Sequence, residues 1–233
     1  SNTAREEVSA RYPRSRNKLH VLRFSTFAEP AWFQGDPTEV RARYQLPAKY
    51  FLVSNQFWKH KNHDLLFSAV ERLKRRGVEV NVVCTGRLHD YRSPEFAERL
   101  VEGLAGRGLA NLIRCLGVIP RGDQIQLMRG AHAVVQPSLF EGWSTVVEDA
   151  RTLGKPIVLS DIAVHVEQAP PYATYFAKHS ESALAEALES AWQTAPVTSP
   201  ETERLALDAA HRRSREFAEE FMRLVDSARE SRA

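Results

Sequence analysis

The stretch HAVVQPSLFEGWSTVVEDA, residues 132–150, holds a complete strand–loop–helix unit. A β-branched apolar run, Ala133–Val135, stops at Pro137, which has no N–H to donate to a strand ladder. A helix must begin before Val146-Val147. Thr145 and Glu148 have the spacing of a capping box, in which the hydroxyl accepts from a helix N–H and the glutamate reaches back to the cap. That reading gives Glu148 a structural role. Asp149, one residue on, points elsewhere, and Glu141 lies in the loop.

Working outward, the same alternation recurs along the chain. LHVLRF (19–24), YFLVSN (50–55), VEVNVVCT (78–85), NLIRCLG (111–117), HAVVQPS (132–138) and PIVLS (156–160) read as strands, apolar on both faces as doubly covered strands are. Helices are expected over 62–76, 94–107, 121–130, 145–153, 180–193 and 201–230. The first places Leu65, Leu66, Ala69 and Leu73 on one stripe, gathers Lys74, Arg75 and Arg76 at its end and stops at Gly77. Asp36-Pro37 reads as an N-cap followed by proline at the first helical position. The sum is an α/β fold, a Rossmann-like open parallel sheet with helices on both faces, whose ligands bind beyond the carboxyl ends of the strands. TAPVTSP (194–200) reads as a linker before the last, charge-rich helix.

Bulk properties narrow the class. The chain has 233 residues, 43% hydrophobic and 26% charged, as globular proteins do. Its net charge of +3 suits an anionic ligand but is too small and scattered for nucleic acid. Cys84 and Cys115 each sit in an apolar run, which favours core packing over a disulfide framework and a reducing, cytoplasmic setting. No apolar run approaches the ~20 residues that span a bilayer.

The loops at the strand ends carry the chemistry. Glu141 and Asp149 bracket a helix N-terminus, whose free N–H groups and dipole attract an anion. Carboxylates beside an anion site make sense if the ligand carries both phosphates and hydroxyls, as a nucleotide sugar does. A plainer reading stands beside it: Asp149 complements the helix dipole and Glu141 is a solvated loop acid. After strand 50–55 come Lys59, His60, Lys61 and His63, cations suited to a diphosphate. A metal on His60 and His63 is disfavoured, because catalytic metals usually take three protein ligands. Gly86, in Thr85-Gly86-Arg87, would let backbone approach a ligand. Gly117-Val118-Ile119-Pro120 offers backbone groups and a small apolar wall for a base. No G-x-G-x-x-G follows any strand, which disfavours a dehydrogenase.

At this point the residues resemble a known family. LGVIPRGDQIQLMRGAHAVVQPSLFEGWSTVVEDARTLGKPIVLSDI (116–162) is similar to the donor-binding, C-terminal half of retaining GT-B glycosyltransferases of glycosyltransferase family 4, and SNQFWKHKNHDLLFSAV (54–70) to its lysine-bearing segment. The family signature is two glutamates seven residues apart; Glu141 matches the first and Asp149 the second. The resemblance implies that Glu141 is the catalytic residue at the donor sugar and that Asp149 takes the ribose hydroxyls. It implies Gln56, Lys61, Gly86, Val118, Gly142, Thr145, Val146 and Asp149 as the donor-binding set, with Lys61 on the diphosphate. The expected ligand is a nucleotide diphosphate sugar, with no metal and no other cofactor.

Two departures stand out. Asp149 is one methylene shorter than the family's glutamate. The family's arginine falls on Gln56, which leaves Lys59 or His60 to supply the missing charge.

The resemblance covers about 19–195. Residues 1–18, SNTAREEVSARYPRSRNK, resemble the crossover from a preceding acceptor domain, Ser1-Asn2 reads as a remnant of cloning, and 196–233 reads as a helical extension. The expected partners are the sugar nucleotide and, through the other domain, a carbohydrate or lipid-linked acceptor; the expected location is cytoplasmic, peripheral to the inner face of a membrane if the acceptor is lipid-linked. Rival readings are a sugar-nucleotide epimerase, which would need an acid–base pair beyond Glu141, and a non-catalytic sugar-nucleotide sensor.

Overall fold

The computed structural model describes residues 1–194 and 198–230. The chain opens with the polar helix Asn2–Arg11 (α1), capped by Ser1, then two short helices, Ala31–Gln34 (α2) and Pro37–Arg43 (α3). Asp36 caps α3 as its sequence requires, accepting from the Thr38 N–H at 2.8 Å. Strand and helix then alternate: Phe51–Ser54 (β1), His63–Arg75 (α4), Val82–Thr85 (β2), Pro94–Gly106 (α5), Ile113–Cys115 (β3), Arg121–Gly130 (α6), Ala133–Gln136 (β4), Thr145–Thr152 (α7), Ile157–Ser160 (β5), Ala163–Gln168 (α8), Ala173–Phe176 (β6) and Glu181–Gln193 (α9). The long helix Pro200–Glu230 (α10) packs back on α7. Of the linker expected at 194–200, residues 195–197 lie outside the described residues, as do 231–233 of the extension.

All six strands pair in parallel, in the order β3-β2-β1-β4-β5-β6. The period of two sends alternate residues to opposite cores. Phe51, Val53, Val82, Cys84, Val135 and Val158 join α4, α5 and α9 on one face. Leu52, Val83, Val134, Ile157 and Leu159 join α3, α6 and α7 on the other. The chain winds outward from β1 through β2 to β3, then returns to start β4 on the other side of β1. That reversal opens a crevice between the carboxyl ends of β1 and β4, where open α/β sheets bind ligands.

Two expectations need correction. Residues 19–24 form no strand. A strand needs a ladder partner, and this segment instead lies against α8 and the loop before α7: Arg23 pairs with Glu167 of α8, and the Phe24 carbonyl accepts from Trp143 Nε1. The sixth strand is β6, which has two exposed residues, Thr174 and Tyr175, and follows two prolines. Cys84 and Cys115 are register partners on β2 and β3, both as free thiols. Among the described residues no helix is long and apolar enough to cross a membrane.

Candidate functional site

The crevice is a cleft of about 310 Å³, lined by Ser54, Asn55, Gln56, Trp58 and Lys61 from the β1 side and Glu141, Trp143, Ser144, Thr145, Val146 and Asp149 from the β4 side. Thr85, Gly86, Val118, Ile119, Arg121 and Gln124 close its third wall. Of the nine residues expected in the site, eight line it. Gly142 does not: it is exposed, and its carbonyl accepts from Ser1 Oγ at 3.1 Å.

Lys61 ends the 3-10 turn Lys59–Lys61 that follows β1. Asn62 then adopts the left-handed conformation at φ 59°, which asparagine visits more readily than other residues with a Cβ. Its Nδ2 donates to the Pro137 carbonyl at 3.1 Å, while Leu139 N–H donates to the His60 carbonyl at 2.7 Å. Two bonds therefore bind the lysine loop to the glutamate loop. As a result Lys61 Nζ lies 2.6 Å from Glu141 Oε1, with both side chains largely shielded from water. Gln136 Nε2 donates to the same oxygen at 2.9 Å.

The helix end beside them differs from the expected capping box. The cap of α7 is Ser144, not Thr145, and Ser144 Oγ accepts from Val147 N–H at 3.4 Å. Glu148 is 1% exposed and turns inward to Gln168, whose Nε2 donates to it at 3.0 Å. The reaching-back role falls to Gln168, which accepts from Ser144 N–H at 3.1 Å. Burial raises the Glu148 pKa, against the lowering effects of Gln168 and the nearby Arg151 and Arg213. The first two helical N–H groups, on Thr145 and Val146, have no intrahelical partner by construction of a helix and border the cleft, as an anion site requires.

At the other end of the cleft, Asp149 is 2% exposed and accepts from Arg121 Nη2 at 2.7 Å. Arg121 also donates to Gln124 Oε1 and lies over the Trp32 ring, 5.1 Å from its centroid. Arg121 is the functional candidate that sequence reasoning missed. It opens an ordinary amphipathic helix, and only its meeting with Asp149 marks it. The cations expected to stand in for the family's arginine are elsewhere: Lys59 lies over the Phe96 ring and His60 is absent from the cleft wall. Gln56 lines the cleft while its Oε1 accepts from Arg87 N–H at 2.8 Å.

Gly86 lines the cleft and is also required by the fold: at φ +126° an added Cβ would sit 2.1 Å from the Asn55 carbonyl oxygen, so the residue makes room for neighbouring backbone. Val118 is 71% exposed at the rim, available to cover a flat apolar group. His63, expected among the cations, is fully buried and stacked on Phe57, and burial lowers its pKa to about 3. Among the described residues, no three His, Cys, Asp or Glu side chains gather closely enough to hold a metal.

The chain has relatives. Residues 38–205 match the sequence profile of the family described as Glycosyl transferases group 1. The chain is 27% identical over 192 residues to the phosphatidylinositol N-acetylglucosaminyltransferase gpi3 subunit of Schizosaccharomyces pombe, covering 82% of this chain and 39% of that protein. Its fold resembles that of a glycosyltransferase from Rickettsia africae, with a TM-score of 0.75 at 18% identity, over 93% of this chain and 57% of that one. It also resembles Anabaena Alr3699/HepE, solved in complex with UDP, with a TM-score of 0.71 at 16% identity, over 91% and 58%. The chain thus spans less than two thirds of each of these relatives, and the shared architecture is the open parallel sheet of GT-B glycosyltransferases.

Proposed function

Since the chain belongs to the family described as Glycosyl transferases group 1, we propose that it is the donor-binding half of a retaining, family 4 glycosyltransferase. In this reading it holds a nucleotide diphosphate sugar for transfer to an acceptor. The observation that carries the proposal is the meeting, in one cleft at the sheet reversal, of Lys61 and Glu141 with the N-terminus of α7 and Asp149.

Each part of such a donor has a partner there. The N–H groups of Thr145 and Val146 and the Lys61 ammonium face the diphosphate. They would stabilise the charge that develops on it as the glycosidic bond breaks, without a metal. Glu141 accepts from sugar hydroxyls. Asp149 accepts from the ribose with its charge balanced by Arg121, and Val118 with Ile119 covers the base. The UDP found in the Anabaena relative supports a nucleoside diphosphate as the recognised core.

The acceptor, a carbohydrate or a lipid-linked sugar, would be held by the other half of the GT-B enzyme. This half alone would bind donor and transfer none, because alignment of two reactants accounts for roughly 7–11 kcal/mol of barrier. The two buried or half-buried free thiols fit a cytoplasmic setting. The test is the anomeric configuration of the product formed by the full-length enzyme, followed by NMR as transfer proceeds. Retention supports the proposal, and a product of inverted configuration contradicts it.

A further inference from the structure

Gln136 closes β4 fully buried, although the other residues of that strand are apolar. Burying a primary amide is unfavourable unless its hydrogen bonds are made. Asn55, at the end of β1, donates Nδ2 to Gln136 Oε1 at 2.7 Å. Gln136 Nε2 in turn lies 3.2 Å from Asn55 Oδ1, 2.9 Å from Glu141 Oε1, 3.2 Å from Ser138 Oγ and 3.3 Å from Ser144 Oγ. An ionised carboxylate only accepts, so the nitrogen must face Glu141 and the orientation of the amide is determined. The shortest of its four contacts is the one to the carboxylate, the stronger kind of hydrogen bond.

This side chain therefore bridges the two strands that flank the crevice, the loop acid and the cap of α7. Oε1 of Glu141 receives both Gln136 and Lys61. Among the described residues nothing donates to Oε2. One oxygen is held and the other is left for a ligand.

We propose that Gln136 is a positioning residue for donor recognition: by holding Oε1 of Glu141, it presents Oε2 to a hydroxyl of the donor sugar, in fixed relation to the α7 N-terminus that takes the phosphates. The proposal rests on the reading of Glu141 as the sugar contact.

The test compares two affinities by calorimetry on the whole chain, for UDP and for UDP-glucose, with GDP and GDP-mannose as a second pair. The ratio within a pair isolates the contribution of the sugar. In the wild type the conjugate binds more tightly than the diphosphate, and Glu141→Gln removes that advantage. Gln136→Leu reduces it by ~10-fold or more, the value of a hydrogen bond to a charged group, while affinity for the diphosphate stays within about two-fold.

Gln136→Glu keeps the shape and the bond from Asn55 but sets a second carboxylate against Glu141. Two adjacent carboxylates share a proton as pH falls. The sugar advantage is then small near pH 8 and returns by about pH 5.5, a recovery the wild type lacks. This variant also decides the matter should Gln136→Leu fail to fold.

A residue that only packs would weaken diphosphate and conjugate together and show no recovery in acid, and that result overturns the proposal. A Glu141→Gln variant that keeps the sugar advantage refutes the reading of Glu141 first, and the proposal with it. A wild type that binds neither pair, nor ADP, TDP and their glucose conjugates, contradicts the donor cleft itself, and the proposal with it.

Discussion

Lys61 Nζ and Glu141 Oε1, from loops eighty residues apart in sequence, lie 2.6 Å from each other at the mouth of the sheet reversal. The ion pair holds the carboxylate in place, and Lys61 lines the same cleft as Thr145 and Val146 at the α7 N-terminus. Lys61→Met is expected to weaken nucleoside diphosphate binding by ~10–100-fold, the effect of losing a charge-assisted contact. Calorimetric titration with UDP checks this, and Glu141→Gln should change the same affinity far less.

Arg121 and Asp149 form the second charged pair of the cleft, with side chains 47% and 3% exposed. Removing the arginine leaves a buried carboxylate without its partner. Arg121→Ala should cost about 1–3 kcal/mol, less than a fully buried pair because water reaches the arginine. Urea unfolding of Arg121→Ala, Asp149→Asn and the double variant forms a cycle. The double variant should lose less than the sum of the two single losses.

The cap of α7 is testable at neighbouring hydroxyls. Ser144→Ala should lower stability by about 0.5–2 kcal/mol, as loss of an N-cap does. Thr145→Val, at an exposed position, should leave stability nearly unchanged. Thermal melts of the two variants would reverse that order if Thr145 were the cap after all.

Much of this was written in local sequence. The runs around Phe51, Val82, Ile113, Val134 and Ile157 are apolar on both faces because helices cover both faces, and their strands stand where those runs predict. Leu19–Phe24 has the same composition but no ladder neighbour, which no local pattern reports. The β6 strand escaped for the opposite reason: Thr174 and Tyr175 are exposed at the sheet edge, so its sequence lacks an apolar run. In the cleft, Glu141, Lys61 and Asp149 could be placed because strand ends converge in such sheets. The meeting of Arg121 with Asp149, and of Gln136 with Asn55, depends on tertiary packing. Ser144 and Thr145 offered two hydroxyls to one helix, and the choice between them turned on Gln168, a residue of α8.

Lys155 gives a pH signature remote from the cleft. Its ammonium is buried, donating to the Arg129 carbonyl and Thr198 Oγ1, each at 2.9 Å. Burial lowers its pKa from 10.5 to about 8, with Glu203 opposing. Between those values the unfolded chain binds the proton that the folded protein releases, so stability rises with pH across this window. The unfolding free energy of the wild type, relative to Lys155→Met, should increase from about pH 8 toward 10.5; a flat or falling difference contradicts the assignment.

In the proposed function, the cleft between β1 and β4 binds a nucleoside diphosphate through Lys61 and the α7 N-terminus. The most direct measurement is the melting temperature of the chain with UDP, GDP, ADP or TDP in the presence of a divalent-metal chelator. At ~100 times the dissociation constant the matching diphosphate should stabilise the chain by roughly 2.7 kcal/mol, which for a protein of this size is a rise of about 5–10 °C. At the same ligand concentration Lys61→Met should remove half or more of that rise. No shift with any of the four, or a shift that appears only when magnesium is supplied, would contradict the claim.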